Sequence, residues 1–175
     1  RSPGLVTGPL EQLGYGNDWG PRAAKRVEPR MTMDPRHALG ITAANEHYTA
    51  IFAEWLLRHP EVFDGAEPRF ALMWRWHAAE ESEHRCTAFD LYHALGGNLR
   101  WRRRWMWIVS VYFSADLIRQ TAANLRRDRE LWRWRTARSA ARFMFGKGGL
   151  FRETFAQWRR YFRADFHPGR DGSDD

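Results

Sequence analysis

The sequence predicts an all-α protein built as an antiparallel bundle of helices. Three observations support this fold class: apolar residues recur at helical spacing, no segment alternates with the two-residue period of a strand, and the connections between periodic segments are short. With 175 residues, of which 43% are hydrophobic, the chain is long enough for one domain with a packed core.

The predicted elements follow from the positions of proline, glycine and capping residues. Residues 1–33 are rich in Gly and Pro and predict an irregular lead-in, residues 34–165 predict the helical domain, and residues 166–175 predict a polar tail. Within the domain we expect five helices, at about Arg36–Arg58, Pro68–Leu95, Arg103–Arg127, Glu130–Phe145 and Leu150–Arg163.

Local signals set the ends of these helices. Asp34-Pro35 is a capping residue followed by a proline, which suits the first turn of a helix, and Pro60 stops the same helix. Gly96-Gly97 ends the second helix, and the glycine-rich run 146–149 ends the fourth. The apolar stretch 105–118 is too short to cross a bilayer and contains an aspartate, so we expect a buried helix there.

Charge is distributed unevenly along the chain. Residues 34–99 contain ten Asp or Glu and five Arg or Lys, whereas residues 100–163 contain four and seventeen. The acidic half, which also holds most of the histidines, suits a cation, and the basic half suits an anion or an acidic surface. The single cysteine, Cys86, leaves no disulfide within the chain. No secretory signal is visible, so we expect a cytoplasmic location.

The second predicted helix carries the most informative cluster of side chains. At 100° per residue, His77, Glu81 and His84 point in nearly one direction, and Glu80 lies at the edge of the same stripe. The large apolar residues of this helix share that direction and predict an inward face: Phe70, Met73, Trp74, Leu91, Tyr92 and Leu95. A buried carboxylate is costly without a partner, so the cluster indicates a metal site with the Glu-x-x-His spacing of helical bundles.

The first predicted helix offers a second carboxylate. Glu46 lies on a face of small and apolar residues, which leaves room for an ion, whereas Glu54 is a weaker candidate and His47 is expected on the rim. The alternative is a structural one, because a single inward Glu or His is usually a hydrogen-bonded core residue or part of an ion pair.

Four segments carry a resemblance to a known family. Ala44–Ala50, Trp76–Arg85 and Ala88–Asp90 resemble the bacterial family of predicted metal-dependent hydrolases, and Phe166-His167-Pro168 resembles the closing motif of that family. The run Trp-His-Ala-Ala-Glu-Glu-Ser-Glu-His is the most specific part of the match, which spans about residues 14–168.

The resemblance implies a ferritin-like bundle in which one helix pair supplies a Glu and a Glu-x-x-His, and a second pair supplies the same again. Carried over by position, Glu46, Glu81 and His84 are the metal ligands and His77 is a nearby base or an additional ligand. Glu80 is a weaker candidate, a residue beside the ligands that could move protons in catalysis. The implied cofactor is a divalent ion, namely iron, manganese or zinc.

Relatives carry a further ligand-bearing region ahead of the equivalent of Glu11, so we expect an incomplete bundle. Either the chain is N-terminally truncated, which its start at Arg1 favours, or it binds one metal, or two copies complete the site as a homo-oligomer.

The expected activity is hydrolysis of a small-molecule substrate by metal-activated water. The chemical alternative is a di-iron enzyme that activates oxygen, because carboxylate-rich bundle sites also suit iron and dioxygen. The non-catalytic alternative is a basic helical protein bound peripherally to a membrane through Trp101–Trp107 and Leu131–Arg135, where Arg and Trp alternate. A solvated arginine face is the plainer interpretation of those two segments, and nucleic acid is the least favoured partner.

Overall fold

The computed structural model describes residues 19–28, 32 and 34–171, without the side chains of Trp19, Val27 and residues 82–84. This part of the chain is helical and contains no strand, which confirms the predicted all-α class. Its helices, in chain order, are α1 (Trp19–Val27), α2 (Pro35–Arg58), α3 (Pro68–His84), α4 (Thr87–Ala94), α5 (Leu99–Arg127), α6 (Trp134–Phe145), α7 (Leu150–Arg160) and α8 (Pro168–Asp171), with a 3-10 turn at Pro60–Phe63 after α2.

The helix α2 is the element around which the others pack. It contacts α3, α4, α5 and α7. The core combines small residues of α2 with aromatic and apolar residues of its neighbours: Ala43, Ala44, Tyr48, Ala88, Phe89, Trp105, Met106, Val109, Tyr161 and Phe166. Small residues on α2 allow its neighbours to approach closely, so a long helix in the acidic half of the sequence lies at the centre of the fold.

The predicted bounds of the first helix are confirmed to within one residue. The Asp34 side chain accepts a hydrogen bond from the backbone N–H of Arg36 at 2.9 Å, and Pro35 occupies the first helical position. The helix ends at Arg58, and His59 is its C-terminal cap ahead of Pro60.

The second predicted helix is divided in two. We expected one helix over Pro68–Leu95, but the structure ends α3 at His84 and begins α4 at Thr87. Neither proline nor glycine marks the break. It coincides with Arg85, whose largely buried side chain makes an ion pair with Glu54 of α2. A tertiary contact, rather than a local breaker, therefore accompanies the interruption.

The inward face predicted for this helix is wrong over most of its length. Five of its six large apolar residues are between 40% and 52% exposed: Phe70, Met73, Trp74, Leu91 and Leu95. Of the six, only Tyr92 is buried, and the other buried residues described in α3 and α4 are Ala78, Ala88 and Phe89. Ala78 follows His77 directly and so leaves the helix about 100° away from it. The face of α3 that is buried is thus the alanine side, and the large side chains of α3 lie at the surface.

The predicted lead-in contains a helix, α1. The sequence did not predict this helix, because apolar residues do not recur at helical spacing in the lead-in. Asp116 of α5 is fully buried and accepts a hydrogen bond from Arg26, and Arg22 Nε lies 3.5 Å from the same carboxylate. Because α1 docks through charged groups, an apolar pattern could not find it. The rest of the lead-in lies largely outside the described residues, and its boundary at residue 33 stays a prediction.

The predicted polar tail begins with residues that pack into the fold. Phe166 and Pro168 are buried, and Pro168 starts α8. The last four residues of the predicted tail lie outside the described part of the chain. Among the described helices, none has the length and apolar content needed to cross a membrane.

Protonation of His59 is expected to stabilise the contact between the end of α2 and α7. Its Nδ1 lies 2.7 Å from Glu61 Oε1 and its Nε2 lies 2.9 Å from Glu153 Oε2, while Arg58 lies 3.8 Å from the same Glu153 oxygen. Hydrogen bonds to Glu153 and then to Glu61 raise the pKa of His59 above its ordinary value of 6.5.

A group whose pKa is raised by folding stabilises the folded state below its unfolded pKa and loses that effect as the pH rises through its folded pKa. We expect the stability difference between the native protein and a His59→Gln variant to be largest in mildly acidic solution. It should shrink as the pH rises above 6.5, and its size should be about 1 kcal/mol or less because the site is partly solvated. Urea unfolding at several pH values measures it; a difference independent of pH contradicts the assignment.

Candidate functional site

Glu46 lies on α2 and Glu81 on α3, and these two helices pack against each other. Glu46 is half-buried on α2, and its Oε2 atom is shielded from solvent. Thr49, one turn further along α2, places its hydroxyl 2.9 Å from Glu81 Oε2 on α3. Residues three apart on a helix are neighbours on its surface, so the hydroxyl that binds Glu81 stands beside Glu46. Glu46 and Glu81 thus belong to two helices that pack against each other, and their joint role as metal ligands stays a prediction.

Glu81 also faces an imidazole. Its Oε1 atom lies 3.7 Å from Nε2 of His77, one turn earlier on α3. The His77 side chain is 48% exposed and the Glu81 side chain 33% exposed, so this pair is open to solvent rather than enclosed. The buried orientation predicted for His77 is wrong, because the inward side of α3 is the side of Ala78. An exposed imidazole beside a carboxylate can exchange protons with water.

Two predicted site residues are less well placed by the structure. Glu80 is half-buried, and within the described residues no hydrogen bond or ion pair joins it to Glu46, His77 or Glu81. His84 is the last residue of α3, but its side chain is not among those that the structure describes. The roles assigned to Glu80 and His84 stay predictions.

The sequence interpretation missed an ion-pair network beside the carboxylates. Arg85 pairs with Glu54 Oε1, and the other oxygen of Glu54 accepts a hydrogen bond from Gln157 Nε2 of α7 at 3.0 Å. Both members of the ion pair are largely buried, with side chains 14% and 16% exposed. Glu54 thus neutralises the arginine that follows His84, which explains why a second inward acid is present on α2. In the sequence, Arg85 directly after the Glu-x-x-His run was the residue that could have indicated this ion pair.

His47 is buried, and the prediction that it lies on the rim is wrong. Its ring stacks on Tyr161 at a centroid distance of 4.9 Å and meets the edge of Phe166 at 5.0 Å. Its Nε2 lies 3.3 Å from the carbonyl oxygen of Gln157, so Nε2 carries the proton in the neutral ring. Burial lowers the pKa of His47 to about 4, which keeps the ring uncharged near neutral pH. His47, the residue that follows Glu46 in the chain, is therefore an uncharged member of an aromatic cluster.

Two segments that are far apart in sequence come together near the site. His167 Nε2 lies 2.9 Å from Asp90 Oδ1, and Phe89 contacts both Phe166 and His167 through ring pairs at 5.7 and 5.4 Å. The backbone N–H of His167 also donates to Asp171 at 3.0 Å. These contacts pack the C-terminal segment against α4, on the far side of the break that follows His84.

The described side chains do not by themselves complete a metal cluster. Among them, no group of three His, Cys, Asp or Glu side chains is close enough to hold a metal ion. What they do provide is a carboxylate on each of the packed helices α2 and α3, with a hydroxyl of α2 and an imidazole beside Glu81. Carboxylate oxygens and imidazole nitrogens suit iron, manganese and zinc, so the chemistry of these groups fits a divalent cation once a further ligand is added.

Comparison with known proteins identifies the family. No curated protein and no solved structure is significantly similar to the chain. The sequence model of one family, described as predicted metal-dependent hydrolase, matches residues 6–172. The match covers nearly the whole chain and includes every residue of the site described above. The chain belongs to the family of predicted metal-dependent hydrolases.

Proposed function

We propose that the protein is a metal-dependent hydrolase whose metal lies at the α2–α3 contact, with Glu46, Glu81 and His84 as ligands. The observation that carries this proposal is the hydrogen bond from Thr49 to Glu81, because it joins the two helices one turn away from Glu46. The family description supports the activity class. The ligand set and the ferritin-like arrangement rest on the resemblance of the Glu-x-x-His run to bundle metal sites.

The residues around the proposed site have separable tasks. Thr49 donates to Glu81 Oε2 and so orients that carboxylate. Near the proposed site the ring of His47 is uncharged and the guanidinium of Arg85 is paired with Glu54. A bound divalent ion would supply a water molecule acidic enough to act as a nucleophile near neutral pH.

Proton movement falls to His77 and Glu80. His77 is exposed and lies 3.7 Å from Glu81, so it can accept a proton and pass it to solvent. Glu80 precedes Glu81 and is half-buried, which places a second carboxylate near the same end of α3. As substrate we propose a small molecule with a hydrolysable bond, in keeping with the description of the family.

Metal analysis of purified variants tests the ligand assignment. Glu46→Gln, Glu81→Gln and His84→Gln should each lower the affinity for manganese or zinc by roughly a hundredfold, because each removes a direct ligand. Asp64→Asn is the matched control, since Asp64 is an exposed acid in the turn before α3 and should leave metal content unchanged. Circular dichroism verifies that each variant is folded. Equal metal content in all four variants would remove the site.

Metal exchange distinguishes hydrolysis from oxygen activation. Zinc has no redox chemistry, so a hydrolase should cleave chromogenic ester or phosphate substrates when loaded with zinc. Activity that appears only with iron and air would contradict the proposed hydrolase and favour the oxygen-activating alternative.

A further inference from the structure

The helix α6 stands out from the bundle as a ridge. Among its residues none is buried, and its neighbour in the fold is α7. Its inner side is fixed by Phe143, whose ring meets the edge of Trp55 at a centroid distance of 5.3 Å. Phe145, the last residue of the same helix, contacts Phe151 of α7 at 5.6 Å. Thr136 and Met144 are half-buried and, with Phe143, mark the side of α6 that faces the protein.

The outward side of α6 combines arginines with aromatic rings. At 100° per residue the residues on the side opposite Thr136, Phe143 and Met144 span about one third of the helix circumference: Trp134, Arg135, Arg138, Arg142 and Phe145. Trp134 is 76% exposed, Phe145 is 62% exposed, and Trp132 in the preceding turn is 91% exposed. The three arginines thus lie between aromatic side chains at the two ends of one exposed face.

This face carries uncompensated positive charge. Residues 131–160 contain eight Arg or Lys and one acidic residue, Glu153. Within the part of the chain that the structure describes, Arg135, Arg138 and Arg142 make no ion pair. By contrast, Arg133 pairs with Glu130 at 2.8 Å. Such a concentration of like charge on a convex helix attracts a polyanion.

We propose that the outward face of α6 docks on a membrane surface that contains anionic phospholipids. Arginines bind lipid phosphates, and exposed Trp and Phe side chains settle among the headgroups, where aromatic residues are favoured. A ridge with aromatic residues at its ends fits a flat lipid surface better than it fits single-stranded nucleic acid, which binds in a charged groove. None of the described helices can cross a membrane, so the contact is peripheral. The inference is independent of the metal site and of the hydrolase activity.

Vesicle co-sedimentation tests the charge in this proposal. The probes are vesicles of phosphatidylcholine alone and vesicles in which one third of the lipid is phosphatidylglycerol. The protein should sediment with the second and not the first at low salt, and high salt should weaken binding. Arg135→Gln/Arg138→Gln/Arg142→Gln should lower partitioning roughly a hundredfold, since each arginine near an anionic surface contributes about fivefold.

A matched control separates the α6 face from the overall charge. Arg69→Gln/Arg75→Gln/Arg100→Gln changes the net charge equally at exposed positions of α3 and α5 and should keep most of the binding. Absence of binding to anionic vesicles at low salt, or equal losses in the two triple variants, overturns the proposal.

An aromatic variant separates lipid from nucleic acid. Trp132→Ser/Trp134→Ser should weaken vesicle binding several-fold, and neither side chain is needed for folding because both are exposed. Trp76→Ser on α3 is the aromatic control. If the double variant binds vesicles as well as the native protein, or a single-stranded oligonucleotide binds more tightly than the anionic vesicles do, the lipid assignment is wrong.

Discussion

Replacing Arg102 with alanine is expected to lower the free energy of unfolding by about 4 kcal/mol. The side chain of Arg102 is 1% exposed, and its guanidinium donates hydrogen bonds to the carbonyl oxygens of Tyr161 and Arg163. The Tyr161 carbonyl is at the C-terminal cap of α7, where a helix leaves its last acceptors unsatisfied and concentrates negative partial charge, and the Arg163 carbonyl is in the turn that follows. The substitution removes the donor from both carbonyls, of which that of Tyr161 is in the interior, and leaves a cavity.

Aromatic rings surround the same guanidinium. It lies 5.3 to 5.8 Å from the ring centroids of Phe89, Tyr161 and Phe166, which adds cation–π attraction on several sides. Arg102 therefore fastens α4, the end of α7 and the C-terminal segment to α5. Arg103 is the matched control, since it also donates to a carbonyl of this turn, that of Phe162 at 2.7 Å, but is exposed.

Urea unfolding followed by circular dichroism measures both variants. Arg103→Ala should cost less than about 1 kcal/mol, because an exposed donor is replaced by water. Similar losses for the two variants would mean that the burial of Arg102 contributes little. Arg102→Met is a further check: it fills the volume without the donors, so it should recover only part of the stability.

The position of Arg102 illustrates what the sequence could predict and what it could not. Trp101–Trp107 was interpreted as a solvated arginine face, and that is correct for Arg103 and Arg104. Arg102 is 40° from Met106 and 20° from Val109 on a helical wheel, and both of those residues are buried. The positions of Met106 and Val109 on the helix therefore predict a buried Arg102, whereas the high arginine content of residues 101–107 suggests an exposed one.

Capping residues and prolines predicted the ends of helices well, whereas contacts between helices determined which face of each helix is buried. Asp34, Pro35 and Pro60 act on their own backbone, so the bounds of α2 were predictable. The break after His84 occurs beside the Arg85–Glu54 pair, which joins two helices. No single-helix pattern contains such a contact.

The candidate site was predictable in its residues more than in its geometry. Helical spacing on two separate helices identified Glu46 and Glu81, and in the structure Thr49, one turn from Glu46, donates to Glu81. How far each site residue of α3 is buried depends on which side of α3 packs against α2. The large apolar residues of α3 predicted the wrong side. Because Ala78 forms the buried side of α3, His77 is half exposed. On α2, His47 packs against Tyr161 within the aromatic core.

Gly40 is the position where an added side chain is expected to do the most damage to α2. A Cβ atom there would lie 2.8 Å from Cδ1 of Trp105 and 3.2 Å from Cε2 of Tyr92. Neither ring can easily move, since both are buried, Trp105 Nε1 donates to His37 at 3.2 Å, and the Tyr92 hydroxyl donates to the carbonyl of Asn98 at 2.7 Å. Interiors packed this tightly respond to added volume with strain.

We therefore expect Gly40→Val to lower the free energy of unfolding by about 3 kcal/mol, with Gly40→Ala intermediate because alanine also favours the helix. Ala38→Val is the control for the intrinsic cost of valine in a helix, since Ala38 is exposed on the same helix, and it should cost about 0.5 kcal/mol. Urea unfolding of the three variants gives the comparison. Equal losses at positions 38 and 40 would show that Trp105 and Tyr92 yield without strain, and that the close approach of α5 to α2 at Gly40 does not require glycine.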